Sequence, residues 1–142
     1  MTVPAPCRVS FWVPGQPAAQ GSKRHVGGGR MIESSKAVGP WRERVALVAH
    51  NAMREAGNAG PFAGAVTLLA EFVLYRPKSA PLTKPVPATK KPDVDKTLRA
   101  VGDALSTICY GDDSQIVDLR GTKRVALPGE EPGVRITVTE GP

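Results

Sequence analysis

All six aspartates of the 142-residue chain fall in one short span: Asp93, Asp95, Asp103, Asp112, Asp113 and Asp118. Every other acid is a glutamate. An apolar stripe runs through the same span, with Val94, Leu98, Val101, Leu105 and Ile108 at intervals of three and four. The spacing predicts a helix from Asp95 that buries the stripe. Asp95, Arg99 and Asp103, four apart in turn, then lie on another face. Pro92 disfavours helix at Lys91 and makes a break before it. If the chain is extended at Asp93 and Asp95, two apart, both carboxylates point the same way. Either acid suits the positive start of the helix as N-cap. Gly111 ends the segment and Asp112-Asp113 open the next strand. A helix crossing back on its own strand brings this second acidic pair toward the first. Aspartate holds its carboxylate close to the backbone, so several together suggest a site for a hard divalent cation such as Mg²⁺.

Around that span the chain alternates strands and helices. Arg8 to Val13 alternates apolar and polar and reads as a strand, stopped by Pro14-Gly15. Gln16 to Arg30, rich in glycine and basic residues, reads as a mobile basic loop or loose hairpin ending at Met31-Ile32. Pro40 in a first turn and Gly57 as a stop bracket the longer helix. Its stripe is Trp41, Val45, Val48, Ala52 and Ala56, which places Trp41 in the core rather than against a nucleobase. His50 falls on its surface, and His25 beside phosphate or in solvent. Ala65 to Tyr75 is the strongest strand, with Glu71 a surface charge. Gln115 to Val125 and a last strand through Val134, Ile136 and Val138 are expected to form a hairpin. The order strand, helix, strand, helix, strand, strand implies an α+β domain over 1–142, two main helices packed on a small mixed β-sheet.

Arg76 to Pro92 holds five prolines and five basic residues with no acid. Proline resists both helix and central strand, so 76–92 reads as an exposed basic loop running into Asp93. Charge divides along the chain. Residues 1–92 carry 13 basic and 4 acidic side chains, residues 93–142 carry 6 and 9, and the whole is +6. A basic body around an acidic pocket suits a polyanion that must also meet metal ions. Cys7 and Cys109 have no metal-ligand spacing and are expected as reduced thiols in a cytoplasm. No stretch reaches the ~20 apolar residues of a membrane span, and the N-terminus has no signal-peptide pattern.

Three motifs in order carry a family resemblance: Pro92-Asp93-Val94-Asp95, Asp103-Ala104-Leu105 on the short helix, and Asp112-Asp113-Ser114-Gln115-Ile116-Val117. Together they resemble the RusA family of Holliday junction resolvases. The match is densest over 91–124, about a quarter of the chain. Weaker likeness reaches Phe11-Trp12-Val13-Pro14-Gly15, Gly21-Ser22-Lys23-Arg24 and Trp41-Arg42-Glu43. The resemblance implies a Mg²⁺-dependent endonuclease, with Mn²⁺ as a substitute ion, that cuts four-way or branched DNA symmetrically as a homodimer. Its metal-binding acids fall on Asp93, Asp95 and Asp113, with Asp112 adjoining, and its functional lysine falls on Arg99. The catalytic set is then Asp93, Asp95, Asp113 and Arg99. Lys23, Arg24, Arg30, Lys84, Lys90, Lys91 and Lys96 are the expected DNA contacts.

Two departures from the family pattern Asp-x-Asp-Asn-Leu-x-Lys matter. Lys96 stands at the asparagine, adding a cation beside the metal acids. Arg99 stands at the lysine, keeping the charge but not the compact ammonium. Two rival readings follow. Asp118-Leu119-Arg120 faintly echoes PD-(D/E)xK nucleases, with Arg in place of Lys. Alternatively the chain is a non-catalytic binder of branched or single-stranded nucleic acid. By analogy, a small stand-alone resolvase suggests a phage or bacterial setting.

Overall fold

The computed structural model describes residues 7–21, 23–26, 30–33 and 36–141, with backbone alone over 23–26 and 30–33. Strand β1 (Arg8–Pro14) leads into a two-stranded antiparallel ribbon, β2 (Lys23–Val26) and β3 (Arg30–Glu33). Then come α1 (Val38–Glu55), β4 (Val66–Leu74), α2 (Val94–Leu105), a 3-10 turn (Asp113–Gln115), β5 (Ile116–Val125) and β6 (Gly133–Glu140). The main sheet runs β1-β6-β4-β5. β6 pairs antiparallel with β1 and β4, and β5 runs parallel to β4. This is the expected α+β class and order, with a short ribbon where a mobile basic loop or loose hairpin was anticipated.

One face of the sheet makes the core. Val9, Phe11 and Val13 of β1 lie in register with Val138, Ile136 and Val134 of β6, and all six are buried. Leu68, Ala70 and Phe72 of β4 continue these rows and are buried too. Each such valine, leucine, isoleucine or phenylalanine contributes about 1.5–3 kcal/mol relative to exposure. Both helices pack on this face. α1 buries Val38, Trp41, Val45, Ala49 and Met53. Trp41 is therefore a core residue, as its position in the stripe requires. Ala56 falls at the exposed C-cap, so the far end of the buried stripe runs through Ala49 and Met53 instead. His50 is on the surface.

α2 links β4 to β5, which is what makes those strands parallel: a helix-length crossover returns the chain to the same end of the sheet. α2 ends at Leu105, before Ile108 and well before Gly111. It buries Leu98, Val101 and Leu105 and leaves Asp95, Arg99 and Asp103 exposed, as the two interleaved spacings predict. It sits low on β5 because position 121 is glycine. A Cβ there would come within 3.1 Å of Leu98 Cδ2 and 3.3 Å of Val94 Cγ2.

The expected hairpin of the last two strands does not form. β5 occupies the sheet edge and pairs with β4 alone, while β6 inserts between β4 and β1. The residues explain the choice. β5 carries Asp118, Arg120, Lys123 and Arg124, and charge suits an edge. β6 alternates Val134, Ile136 and Val138, all fully buried, and suits the interior.

Candidate nucleic-acid cleavage site

The acids approach one another because α2 and the segment after it lie side by side. A cleft of about 420 Å³ is lined by Asp95, Arg99 and Asp103 from α2, by Asp113 from the 3-10 turn, and by Ile116, Val117 and Leu119 of β5. Asp95 and Asp113 make no ion pair among the described residues. Arg99 likewise pairs with no described carboxylate, so it does not tie Asp95 to Asp103. Its guanidinium lies over Gly21, where an added Cβ would stand 2.7 Å from Nη1. Gly21 has φ +101°, a conformation that glycine adopts without strain.

Asp103 is held from elsewhere. The Gln20 carboxamide donates to Asp103 Oδ2, while its Oε1 accepts from Arg42 Nη1 of α1 at 2.8 Å. Gln20 N–H also donates to the Lys96 carbonyl at 3.1 Å. The segment that leaves β1 is thereby fastened along α2, and a single amide joins both helices beside the cleft.

Asp93 is the N-cap residue of α2, with extended backbone and no side-chain capping bond. Helix capping therefore does not occupy its carboxylate. That carboxylate lies 3.7 Å from Lys96 Nζ and lines a neighbouring cleft with Gln16, Lys91 and Pro92 rather than the one holding Asp95. Thr97, almost fully buried, donates through Oγ1 to the Val94 carbonyl at 2.9 Å and secures this first turn.

Asp112 is used by the backbone. Its Oδ2 accepts from Ser114 N–H at 2.9 Å, and the Ser114 hydroxyl together with that N–H holds its carboxyl below the ordinary value. Gln115 completes the reciprocal cap: its Oε1 accepts from Gly111 and Asp112 N–H, and its Nε2 donates to the Phe62 and Gly64 carbonyls at 2.9 Å. The pair Asp112 and Gln115 has the spacing of a capping box. It fixes the turn that presents Asp113 to the cleft. Behind it, the buried Tyr110 hydroxyl donates to the Gly102 carbonyl at 2.6 Å, and burial raises its pKa.

The expected DNA contacts divide three ways. Lys84, Lys90 and Lys91 are exposed on the proline-rich loop, and Lys96 sits beside Asp93. The side chains of Lys23, Arg24 and Arg30 lie outside the described residues. On β5 the cations are engaged locally. Arg120 pairs with Asp118 at 3.2 Å and Arg124 with Glu130 at 2.6 Å. Lys123 Nζ donates to the Lys90 and Pro92 carbonyls at 2.9 and 3.0 Å, which anchors the chain just before Asp93. Gly121 faces α2, so the alternate residues Asp118 and Arg120 project from the opposite face of the sheet. That separation removes Asp118 from the acid-lined cleft and with it the PD-(D/E)xK pattern.

Sequence reasoning missed Gln20, Gln115 and Lys123 as shapers of the site. Only Gln115 had a readable signal, in its capping-box spacing from Asp112.

Asp95 and Asp113 offer exposed carboxylate oxygens with no ion-pair partner among the described residues, the donor type that a hard cation requires. Their closure is incomplete in this conformation: among the described residues no three of His, Cys, Asp and Glu lie close enough to hold an ion together.

An α+β scaffold whose crossover helix and following turn present aspartates and an arginine to one cleft is the frame of a small nuclease. The chain belongs to the RusA endodeoxyribonuclease family, whose model matches residues 14–139. It is also similar to the uncharacterized protein YqaN of Bacillus subtilis (strain 168). The two are 34% identical over 143 residues, an alignment covering 93% of this chain and 96% of the relative. Among the described residues no helix is long and apolar enough to cross a membrane.

Proposed function

We propose that this chain is a Mg²⁺-dependent endonuclease that resolves four-way DNA junctions by symmetric phosphodiester hydrolysis, working as a homodimer in bacterial or phage-infected cytoplasm. The observation that carries the reading is the cleft in which Asp95 and Asp113, from separate elements and without ion-pair partners among the described residues, stand with Arg99. Asp95 and Asp113 would hold the ion, with Asp93 joining them from the adjacent cleft. Bound there, Mg²⁺ would neutralise charge on the scissile phosphate and lower the pKa of a water.

The chain's own residues do the rest. Arg99, pairing with no described carboxylate, offers two parallel N–H donors to a non-bridging phosphate oxygen. Gln20 holds Asp103 at the cleft wall, and the Asp112–Gln115 cap holds the backbone of Asp113. Lys90 and Lys91 supply sequence-independent attraction for the phosphodiester backbone. A dimer would bring two such clefts to the two strands that a junction requires to be cut.

The competing reading is binding of branched DNA without cleavage. It draws on the Lys96 ammonium beside Asp93 and on the open arrangement of the acids. A synthetic mobile junction, with linear duplex as control, separates the two. With Mg²⁺ or Mn²⁺ the wild type should nick opposing strands of the junction and spare the duplex. Asp95→Asn should lose cleavage by on the order of 100-fold or more while still binding. Binding without nicking in either metal would establish the non-catalytic reading, and efficient duplex cutting would indicate a general nuclease.

A further inference from the structure

The nineteen residues between Leu74 and Val94 contain no helix or strand, far beyond an ordinary connection. They are nonetheless fastened. Arg76 donates to the Ala126, Pro81 and Lys84 carbonyls, and Lys123 secures the other end at Lys90 and Pro92. Gln16 Oε1 accepts from Tyr75 N–H at 2.8 Å, closing the base. What these bonds hold open is a cleft of about 430 Å³ between the loop and the end of the sheet. Its walls include Leu74, Tyr75, Pro77, Val86, Pro87 and Val125, and Tyr75 is 51% exposed. Lys90 and Lys91 stand at the same cleft.

We infer that this cleft receives an unstacked nucleobase from the DNA strand whose phosphates lie at Lys90 and Lys91. The inference rests on the DNA reading above and deepens it. An apolar slot with an accessible aromatic ring suits the face of any base, and stacking of this kind is indifferent to sequence. The charge fits the same ligand, because residues 76–92 bring five cations and no acid. Position adds a third argument. Gln16 and Lys91 also wall the cleft that contains Asp93 and Lys96, so the two clefts adjoin. A strand passing Asp93 therefore reaches the slot within a few nucleotides. Drawing a base out of the stack costs least where pairing is already broken, as at a branch point. The slot thus gives preference for branched over continuous DNA without reading sequence.

The test measures affinity for a junction and for linear duplex in EDTA, using the Asp95→Asn protein so that cleavage plays no part. Tyr75→Ala should weaken junction binding roughly tenfold to a hundredfold, leave duplex binding unchanged, and leave the salt dependence unaltered. Tyr75→Phe should retain junction affinity. Lys91→Ala should weaken both DNAs and reduce the salt slope. A 5-iodouracil at the branch point should photocrosslink to Tyr75. If Tyr75→Ala keeps the wild-type ratio of junction to duplex affinity and no crosslink forms, the slot serves something else, such as an apolar protein segment, and the inference fails. A protein that binds no DNA overturns the functional reading itself. Junction binding indifferent to Tyr75 overturns the slot alone.

Discussion

Gln115→Ala removes four hydrogen bonds, which makes it a sharp test of how the acidic turn is held. The carboxamide accepts from two N–H groups at 2.8 and 2.9 Å and donates to two carbonyls at 2.9 Å. The bond to Phe62 is partly buried and the other three are exposed, where water replaces them cheaply. Taking about 1 kcal/mol for the first and about 0.5 kcal/mol for each of the others gives about 2–3 kcal/mol in all. For a chain of this size that is a fall in Tm of roughly 6–12 °C. Thermal and urea denaturation measure it directly. Gln115→Glu is the companion: it keeps both acceptor bonds but sets a carboxylate against the Phe62 and Gly64 carbonyls, so it should destabilise at least as much. Below the melting range, both variants should bind junction DNA normally and cut it slowly, because Asp113 loses its support. A Tm change under about 2 °C for both variants would refute the assignment.

Three further outcomes follow from the geometry. Gly21→Ala forces a Cβ to 2.7 Å from Arg99 Nη1 at a residue with φ +101°. It should cost about 1–2 kcal/mol in stability and slow junction cleavage by on the order of 10- to 100-fold, read from denaturation and single-turnover kinetics. The Cys109 thiol is fully buried and its pKa is pushed up to about 12 by that burial, whereas Cys7 is exposed. Alkylation at pH 8 should modify one cysteine in the native protein and both after denaturation, counted by mass spectrometry. Arg124 holds the Glu130 carboxyl down from 4.5 to about 2. A lowered pKa stabilises above the unfolded value and is lost as pH falls through the folded one. The stability difference between wild type and Glu130→Gln should therefore be constant above about pH 5 and vanish toward pH 2.

The parts of the fold that the sequence disclosed are those set by a repeating physical rule. Helix α2 was readable because two spacings occupy one segment: Leu98, Val101 and Leu105 demand burial while Asp95, Arg99 and Asp103 demand water. β1 and β6 were readable from alternation, and β4 from an apolar run on both of its faces. Partnership of strands obeys no such local rule. Gln115 to Val125 and Val134 to Val138 are neighbours in sequence, and a hairpin is the shortest way to pair them. What decides otherwise is a competition across the sheet: β4 has two sides to satisfy, and the strand with buried valines takes the interior while the charged one takes the edge. That comparison can be made only once all four strands are set against one another.

The site shows the same division between what local pattern reveals and what assembly decides. A cluster of aspartates is visible in any listing of residues, but the bonds that position them come from groups with ordinary surface composition. Gln20 lies 83 residues from Asp103, and Lys123 lies 31 from Pro92. Both act on the shape of the chain rather than on chemistry, so neither has a motif. Their placement nevertheless explains a difference among the acids that spacing alone could not. Asp112 and Asp113 are adjacent, yet the first is consumed by a cap while the second is left without an ion-pair partner among the described residues. Asp93 and Asp95 are two apart, yet the turn into α2 points them into different clefts. Adjacent aspartates take separate tasks because a site needs carboxylates that bond the backbone as well as carboxylates that remain available. Proteins that exchange Asp112 for Asn should therefore keep the turn, since the amide oxygen still accepts from Ser114, whereas the same exchange at Asp113 leaves the turn intact and removes charge from the cleft.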